Sequence, residues 1–441
     1  MKKTLSQRLI NNKSLSTVLL LLILFTLLFF RNIRSFVYPL PWAEDFFIFI
    51  NQEYSIGFPA TAFKLYAGYI HLLPRIITWF SMKFGLSNAM TVMNWTVLLI
   101  KIMTFYLIFA SKEISSNLIK FSVIIYLVLL PFSVEVYNNV TNLQWWLIPL
   151  MVVVILRQET NNLVLAFDIC LLLLTCLTGI NCILLVIPCI YLLLRARIRP
   201  YFIKSLIVIF CACVQLYFLY TSGRSGTGKI MYIGGGIDVL NLFVNRVIYH
   251  TLFNYDGTSY INIVVFICYV LMIFLNLFYY KQNKIVHFVF WLSMAYLLTI
   301  FYNFLKSYSY IPNNLMLGFW SERYFVFLRL CSFVLLVSSL HILLTVFVNR
   351  KNYKRLISYS CFLLCLILLK NYPINVEFHY QNYNSKRFII NTSLHYQFYN
   401  DVERFQTARK GDNVRFHYDS SPFSGCDLPV TKSWHCYLQK K

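Results

Sequence analysis

The chain has 441 residues, of which 59% are hydrophobic, 18% aromatic and 12% charged, and its mean hydropathy is +0.63. That composition excludes a soluble globule and fits repeated apolar stretches near bilayer length, the mark of a polytopic α-helical membrane protein. The formal charge of +23 comes from 39 Lys and Arg against 16 Asp and Glu. It does not imply a nucleic-acid partner, because the basic residues gather between apolar stretches, where chain orientation and anionic headgroups require them.

In chain order, Lys2, Lys3, Arg8 and Lys13 precede a nearly unbroken apolar run from Leu15 to Phe30, closed by Arg31 and Arg34. Phe29-Phe30-Arg31 offers no small-residue cleavage site, so this first span, 15–34, is expected to be retained. Further spans are predicted at 89–110, 120–135, 143–157, 163–178, 180–195, 202–221, 259–280, 285–304, 324–348 and 356–370. Together they make about eleven transmembrane helices. The basic clusters Arg195-Ala-Arg197-Ile-Arg199 with Lys204, Lys281 with Lys284, and Arg350-Lys351 with Lys354-Arg355 mark the cytoplasmic side, along with the N-terminus. The C-terminal segment then lies outside.

Residues 60–85 look hydrophobic but contain Lys64, His71, Pro74, Arg75 and Lys83. Counting them as a crossing would put the Arg195 cluster outside, so they are expected to be helices at the outer interface, with Phe63, Tyr66, Tyr69 and Trp79 at that depth. Residues 35–88 become one large outer loop with Glu44-Asp45 at its start. Of the ten carboxylates before residue 371, Glu44, Asp45, Glu53, Glu135, Asp238, Asp256 and Glu322 fall on the outer side, Glu113 and Glu159 inside, and Asp168 within a span. A proton-coupled transporter more often concentrates such groups at mid-membrane. Two adjacent carboxylates at a membrane boundary need a partner or a task, and a general base acting at the membrane surface is such a task.

Four further constellations share the outer side. In Tyr66-Ala-Gly-Tyr-Ile-His71-Leu-Leu-Pro74-Arg75, His71 and Arg75 stand four apart and either hold a lipid phosphate or simply snorkel. Glu135-Val-Tyr-Asn138-Asn139-Val-Thr141-Asn142-Leu-Gln144-Trp145-Trp146 is an amide-rich turn before two tryptophans, a carbohydrate surface or an aromatic belt. In Trp320-Ser-Glu322-Arg323-Tyr324, Arg323 clamps a phosphate or neutralises Glu322. The loop 222–258 adds Arg224 and Lys229 among glycines, which suits a lid as well as it suits solvated charge. Its Gly223-Arg-Ser-Gly-Thr-Gly-Lys229 lacks phosphate-loop spacing and is given no nucleotide role.

The tail, 371–441, turns polar and Tyr-rich. Ten of the twelve cysteines lie in or beside spans as apolar filler, whereas Cys426 and Cys436 sit in the tail, where a periplasmic disulfide would staple a weak subdomain. No His/Cys spacing suggests a metal site.

The motifs Pro-Trp-Ala-Glu44-Asp45-Phe-Phe, Tyr66 to Arg75, Asn-Val-Thr141-Asn-Leu-Gln144-Trp145 and Glu-Arg323-Tyr324 resemble bacterial polytopic glycosyltransferases of the C superfamily (GT-C). Within it, the chain is most similar to the serotype-converting, O-antigen-modifying glucosyltransferases of enteric bacteria and their phages. The resemblance covers roughly 1–370 and not the tail. It implies a multi-pass protein of the bacterial inner membrane, N-terminus cytoplasmic and C-terminus periplasmic. Such an enzyme transfers a sugar, here expected to be glucosyl, from a polyprenyl-phosphate donor to lipid-linked O-antigen, a lipopolysaccharide modification that converts serotype. A donor-lipid synthase and a flippase would supply the donor. By resemblance the acidic catalytic position falls on Glu44-Asp45, with Asp45 favoured as base and Glu44 orienting it. Arg75, Arg323 and His71 are the donor-phosphate candidates, and Asn142, Gln144 and Trp145 the sugar or acceptor contacts. The superfamily's usual second acid is not evident, so no cofactor is assigned and a divalent metal is left open. The alternatives are an O-antigen polymerase, which should favour an arginine-rich outer loop, and a lipid-linked sugar flippase or transporter, which should carry a charged midplane cavity.

Overall fold

The computed structural model describes residues 13–37, 39, 44–114, 117–130, 138–158, 161–195, 198–222, 240–241, 243–252, 258–280, 286–295, 325–347, 366–367, 396–410, 412–418 and 434–439. The main helices are α1 (Lys13–Arg31), α2 (Leu72–Met82), α3 (Leu86–Ala110), α4 (Asn117–Leu129), α5 (Leu143–Leu156), α6 (Asn162–Cys176), α7 (Val186–Arg195), α8 (Arg199–Thr221), α9 (Ser259–Tyr279) and α10 (Val326–Phe347). Four helical stretches are long and apolar enough to cross a membrane: Leu86–Ala110, Arg199–Thr221, Tyr260–Tyr279 and Val326–Leu344. Shorter apolar helices lie at other expected spans, including Thr17–Arg31, Ile119–Leu129, Leu143–Leu156 and Val286–Ala295. The protein is a helical membrane protein.

Local chemistry accounts for several helix ends. Asn161 caps α6, its side chain accepting from the Leu163 amide at 2.9 Å, and Pro200 opens α8 where its missing N–H costs nothing. Helix α5 is apolar on every side and buried on nearly every side, so it forms the centre of the bundle, packed by α3 and α6 with α8 and α10 beside it. Helix α9 does the reverse: Tyr260, Val264, Leu271, Phe274 and Phe278 stand exposed along it, a face suited to lipid. Helix α2, at 11 residues, spans only about 16 Å and is too short to cross.

Two charges depart from their expected settings. Lys204, grouped by sequence with the cytoplasmic loop cluster, lies inside α8 and is fully buried. Its ammonium donates to the Val154 and Arg157 carbonyls at 2.9 and 2.6 Å and pairs with Asp168 at 2.8 Å; Arg157 pairs with Asp168 too. The buried carboxylate of α6 is thus a structural tie. Arg31, expected as a flanking charge, is buried with its guanidinium donating to the Val128 and Leu130 carbonyls at the end of α4. Carbonyls at a helix end are left over by the helix ladder and take donors of this kind.

The tail holds a helix at 396–407 and an antiparallel ribbon of β1 (Asn413–Tyr418) and β2 (Trp434–Gln439), with Val414 opposite Leu438 and Phe416 opposite Cys436. The all-helical expectation therefore holds for the bundle and not for this ribbon. Cys426 and the side chain of Cys436 lie outside the described residues, as does the disulfide proposed between them.

Candidate active site

The acidic pair begins a short wide helix, Asp45–Ile50, that runs into Asn51–Ser55. Asp45 is buried, and both its oxygens are held by the turn before α5. The Val140 amide donates at 3.2 Å, the Thr141 amide at 2.9 Å and the Thr141 hydroxyl at 2.6 Å. Burial nevertheless dominates and pushes its carboxyl up to about 6, with the neighbouring Glu44 charge adding a little and the three donors opposing. Glu44 is half-buried. One of its oxygens lies 3.4 Å from the Tyr66 hydroxyl, and the other, Oε2, is buried without a hydrogen-bond partner.

Residues 66–71 fold back on themselves. Ala67 and Gly68 take positive φ, and Tyr66 and Tyr69 exchange backbone bonds at 3.1 and 3.2 Å. Gly68 does so at no steric cost. This turn sets His71 at the start of α2, its ring within 6 Å of the rings of Tyr66, Tyr69 and Phe49. Burial, with the Arg75 charge beside it, holds the imidazole down at about 3, although the Tyr66 backbone pulls the other way. It is neutral at any physiological pH, and neither ring nitrogen has a hydrogen-bond partner of regular geometry. Arg75 stacks its guanidinium 4.8 Å over Phe49 and donates from Nη2 to the Lys64 carbonyl at 3.2 Å, leaving Nε and Nη1 buried without partners. Burial lowers it to about 10, against the pull of Glu53, so it stays cationic.

The third wall is the start of α5. Asn142, Gln144 and Trp145 are all buried, so they form an enclosed surface and not an open carbohydrate platform. Asn139 accepts from the Asn142 amide at 2.7 Å and so closes the turn that Asp45 grips. Gln144 Oε1 and Asn138 Nδ2 are buried without partners. Glu44, Asp45, His71, Arg75, Asn142, Gln144 and Trp145 therefore share one end of the bundle, around a set of unmatched acceptors and donors. Comparison with protein-family models, with curated proteins and with solved structures finds no match.

Sequence reasoning missed the residues that hold these walls together. The 177–181 break between α6 and α7 joins α2 through Leu72 N to Leu177 O at 3.0 Å, Leu73 N to Thr178 Oγ1 at 2.9 Å and Gly179 N to Ile70 O at 3.0 Å. Asn181 donates to the Gln144 carbonyl at 3.2 Å. Gln215, fully buried on α8, bonds Ile70 and the Cys176 and Gly179 carbonyls. The available signal was an amide alone in the apolar run 206–219, a placement that asks for a partner. Among the described residues no three His, Cys, Asp or Glu side chains gather as metal ligands. Arg323 and Glu135 lie outside the described residues, as do 223–239 of the outer loop.

Proposed function

We propose that this protein is a glycosyltransferase of the bacterial inner membrane, crossing it about eleven times with the acidic pair on the periplasmic side. It would transfer a sugar, of which glucosyl is the best candidate, from a polyprenyl-phosphate donor to lipid-linked O-antigen. The observation that carries the reading is the mixture of buried polar atoms lacking partners among the described residues at one end of the bundle: acceptors on Glu44 and Gln144, and donors on Arg75 and Asn138. Such atoms are costly unless a ligand satisfies them, and acceptors beside an arginine match hydroxyls beside a phosphate.

In the proposed reaction an acceptor hydroxyl attacks the anomeric carbon as its bond to the lipid phosphate oxygen breaks. The hydroxyl proton passes to a carboxylate, and the departing phosphate is held by Arg75, with His71 and Arg323 further candidates. Within the pair, Glu44 is better suited to accept the proton, because Oε2 is unengaged among the described residues while both oxygens of Asp45 are hydrogen-bonded. Asp45 then acts as the positioning residue that fixes the 138–142 turn. Asn142, Gln144 and Trp145 would contact the sugar or acceptor.

The test is mass spectrometry of O-antigen from a host with and without the gene, donor lipid confirmed, including Glu44→Gln and Asp45→Asn. A hexose added to each repeat and lost in Glu44→Gln supports transfer. An unchanged repeat with altered chain length would point to polymerisation, and no change in either would point to lipid-linked sugar transport.

A further inference from the structure

Phe46, the residue after Asp45, is fully buried, and two rings of the tail pack against it. Its ring lies 5.6 Å from that of Phe398 in the 396–407 helix and 5.0 Å from that of Phe416 in β1. The cluster continues along the same helix face: Phe398 and Phe416 are 6.0 Å apart, Phe405 and Phe416 5.6 Å, and Tyr54 meets Phe405 at 5.2 Å. Phe398, Val402, Phe405, Val414 and Phe416 are all buried in this contact. The tail helix is also moored to α3, by a Tyr399–Thr91 hydroxyl contact and by Gln406 to Ser87 at 3.5 Å. Within the tail, residues 396–416 therefore pack against the membrane bundle.

We infer that residues 396–418 are a positioning element for the acidic pair. Neighbouring side chains on a helix point roughly a quarter-turn apart, so a ring locked at 46 sets the direction of 44 and 45. With Phe46 held between Phe398 and Phe416, Asp45 faces the Val140–Thr141 turn and Glu44 faces Tyr66. Two aromatic contacts on one ring resist rotation of the short helix that carries it. The catalytic consequence rests on the transferase reading; the mechanical coupling does not.

The experiment is hydrogen–deuterium exchange on the full chain in detergent micelles, comparing the native protein with Phe416→Leu and Phe398→Leu. Each variant keeps an apolar side chain and removes one ring. The expected result is exchange about tenfold faster in peptides covering 44–55 and also in 138–142, where Asp45 holds the Val140 and Thr141 amides. That factor corresponds to about 1.4 kcal/mol of easier local opening. Phe416→Tyr, which restores a ring, should return both peptides towards native rates. Faster exchange confined to 396–418, or unchanged exchange throughout, would overturn the inference. In parallel, the variants should lower turnover while leaving donor affinity near native. Absence of sugar transfer by the native protein would sink the transferase reading and leave the exchange result standing.

Discussion

Gln215 and Ile70 lie 145 residues apart and bond as two strands would: the Gln215 carbonyl oxygen accepts from the Ile70 amide at 2.9 Å, and its NH2 donates to the Ile70 carbonyl at 3.1 Å. The same NH2 also reaches the Cys176 and Gly179 carbonyls at 3.3 and 3.2 Å. One side chain of α8 thus satisfies the irregular backbone of two connections that a membrane interior would otherwise penalise.

Gln215→Leu should leave the buried Ile70 amide unpaired, at a cost of about 1–3 kcal/mol. The detergent-solubilised variant is expected to unfold at lower temperature and to lose transfer. Gln215→Glu, which accepts but cannot donate when ionised, should be nearly as damaging. Native stability in Gln215→Leu would remove the tie from any account of the site.

The two carboxylates should separate by phenotype. Glu44→Gln is expected to cut transfer by about a hundredfold or more at unchanged protein level, the scale of a lost proton acceptor. Asp45→Asn replaces one acceptor oxygen by a donor facing the Val140 and Thr141 amides, so it should lower thermal stability as well as transfer. If Asp45→Asn folds normally and alone abolishes transfer, the roles within the pair reverse.

Asp45 also sets a pH signature. Its carboxyl rises from 3.8 to about 6 on folding, so the folded chain binds that proton more tightly than the unfolded chain does. Its contribution to stability is therefore full below pH 3.8 and lost as pH rises through 6. Transfer should run the opposite way, falling as pH drops through 6, because protonated Asp45 is a poorer acceptor for three donors. In the rate profile His71, held at about 3, should add no inflection between about pH 5 and 8. In the melts it opposes Asp45, because an imidazole that returns to 6.5 on unfolding takes stability away as pH falls below 6.5. A pH–rate profile beside thermal melts checks both signs: Asp45→Asn should flatten the acid limb of the rate profile, and in the melts it should uncover the His71 loss of stability towards acid pH.

Gly179 is irreplaceable on two counts. Its φ is +99°, and a Cβ there would sit 2.2 Å from Gln144 Oε1. Gly179→Ala should cost about 1–3 kcal/mol through backbone strain and displace Gln144. Gln144→Ala in the same chain should relieve the clash and recover part of the stability but not transfer. Full activity in Gly179→Ala would exclude Gln144 from the site.

The helical membrane class, the positions of most helices and the grouping of polar chemistry near residues 44–45, 71–75 and 138–145 were legible in sequence, because each depends on local quantities: apolar run length, flanking charge and motif composition. Which member of a motif does what was not legible. Asp45 and Glu44 are neighbours with the same chemistry, and only the approach of the 140–141 turn ties one and leaves the other open. Lys204 reads as one more basic residue at a span end until Asp168, from another helix, takes it into the core. Phe46 and Phe416 are two aromatics among 72 Phe and Tyr residues, with nothing in either's surroundings to pair them. Sequence alone determined where the chain is apolar and where it must carry charge. Tertiary structure decided which buried polar groups answer one another, since that depends on distances between segments far apart along the chain.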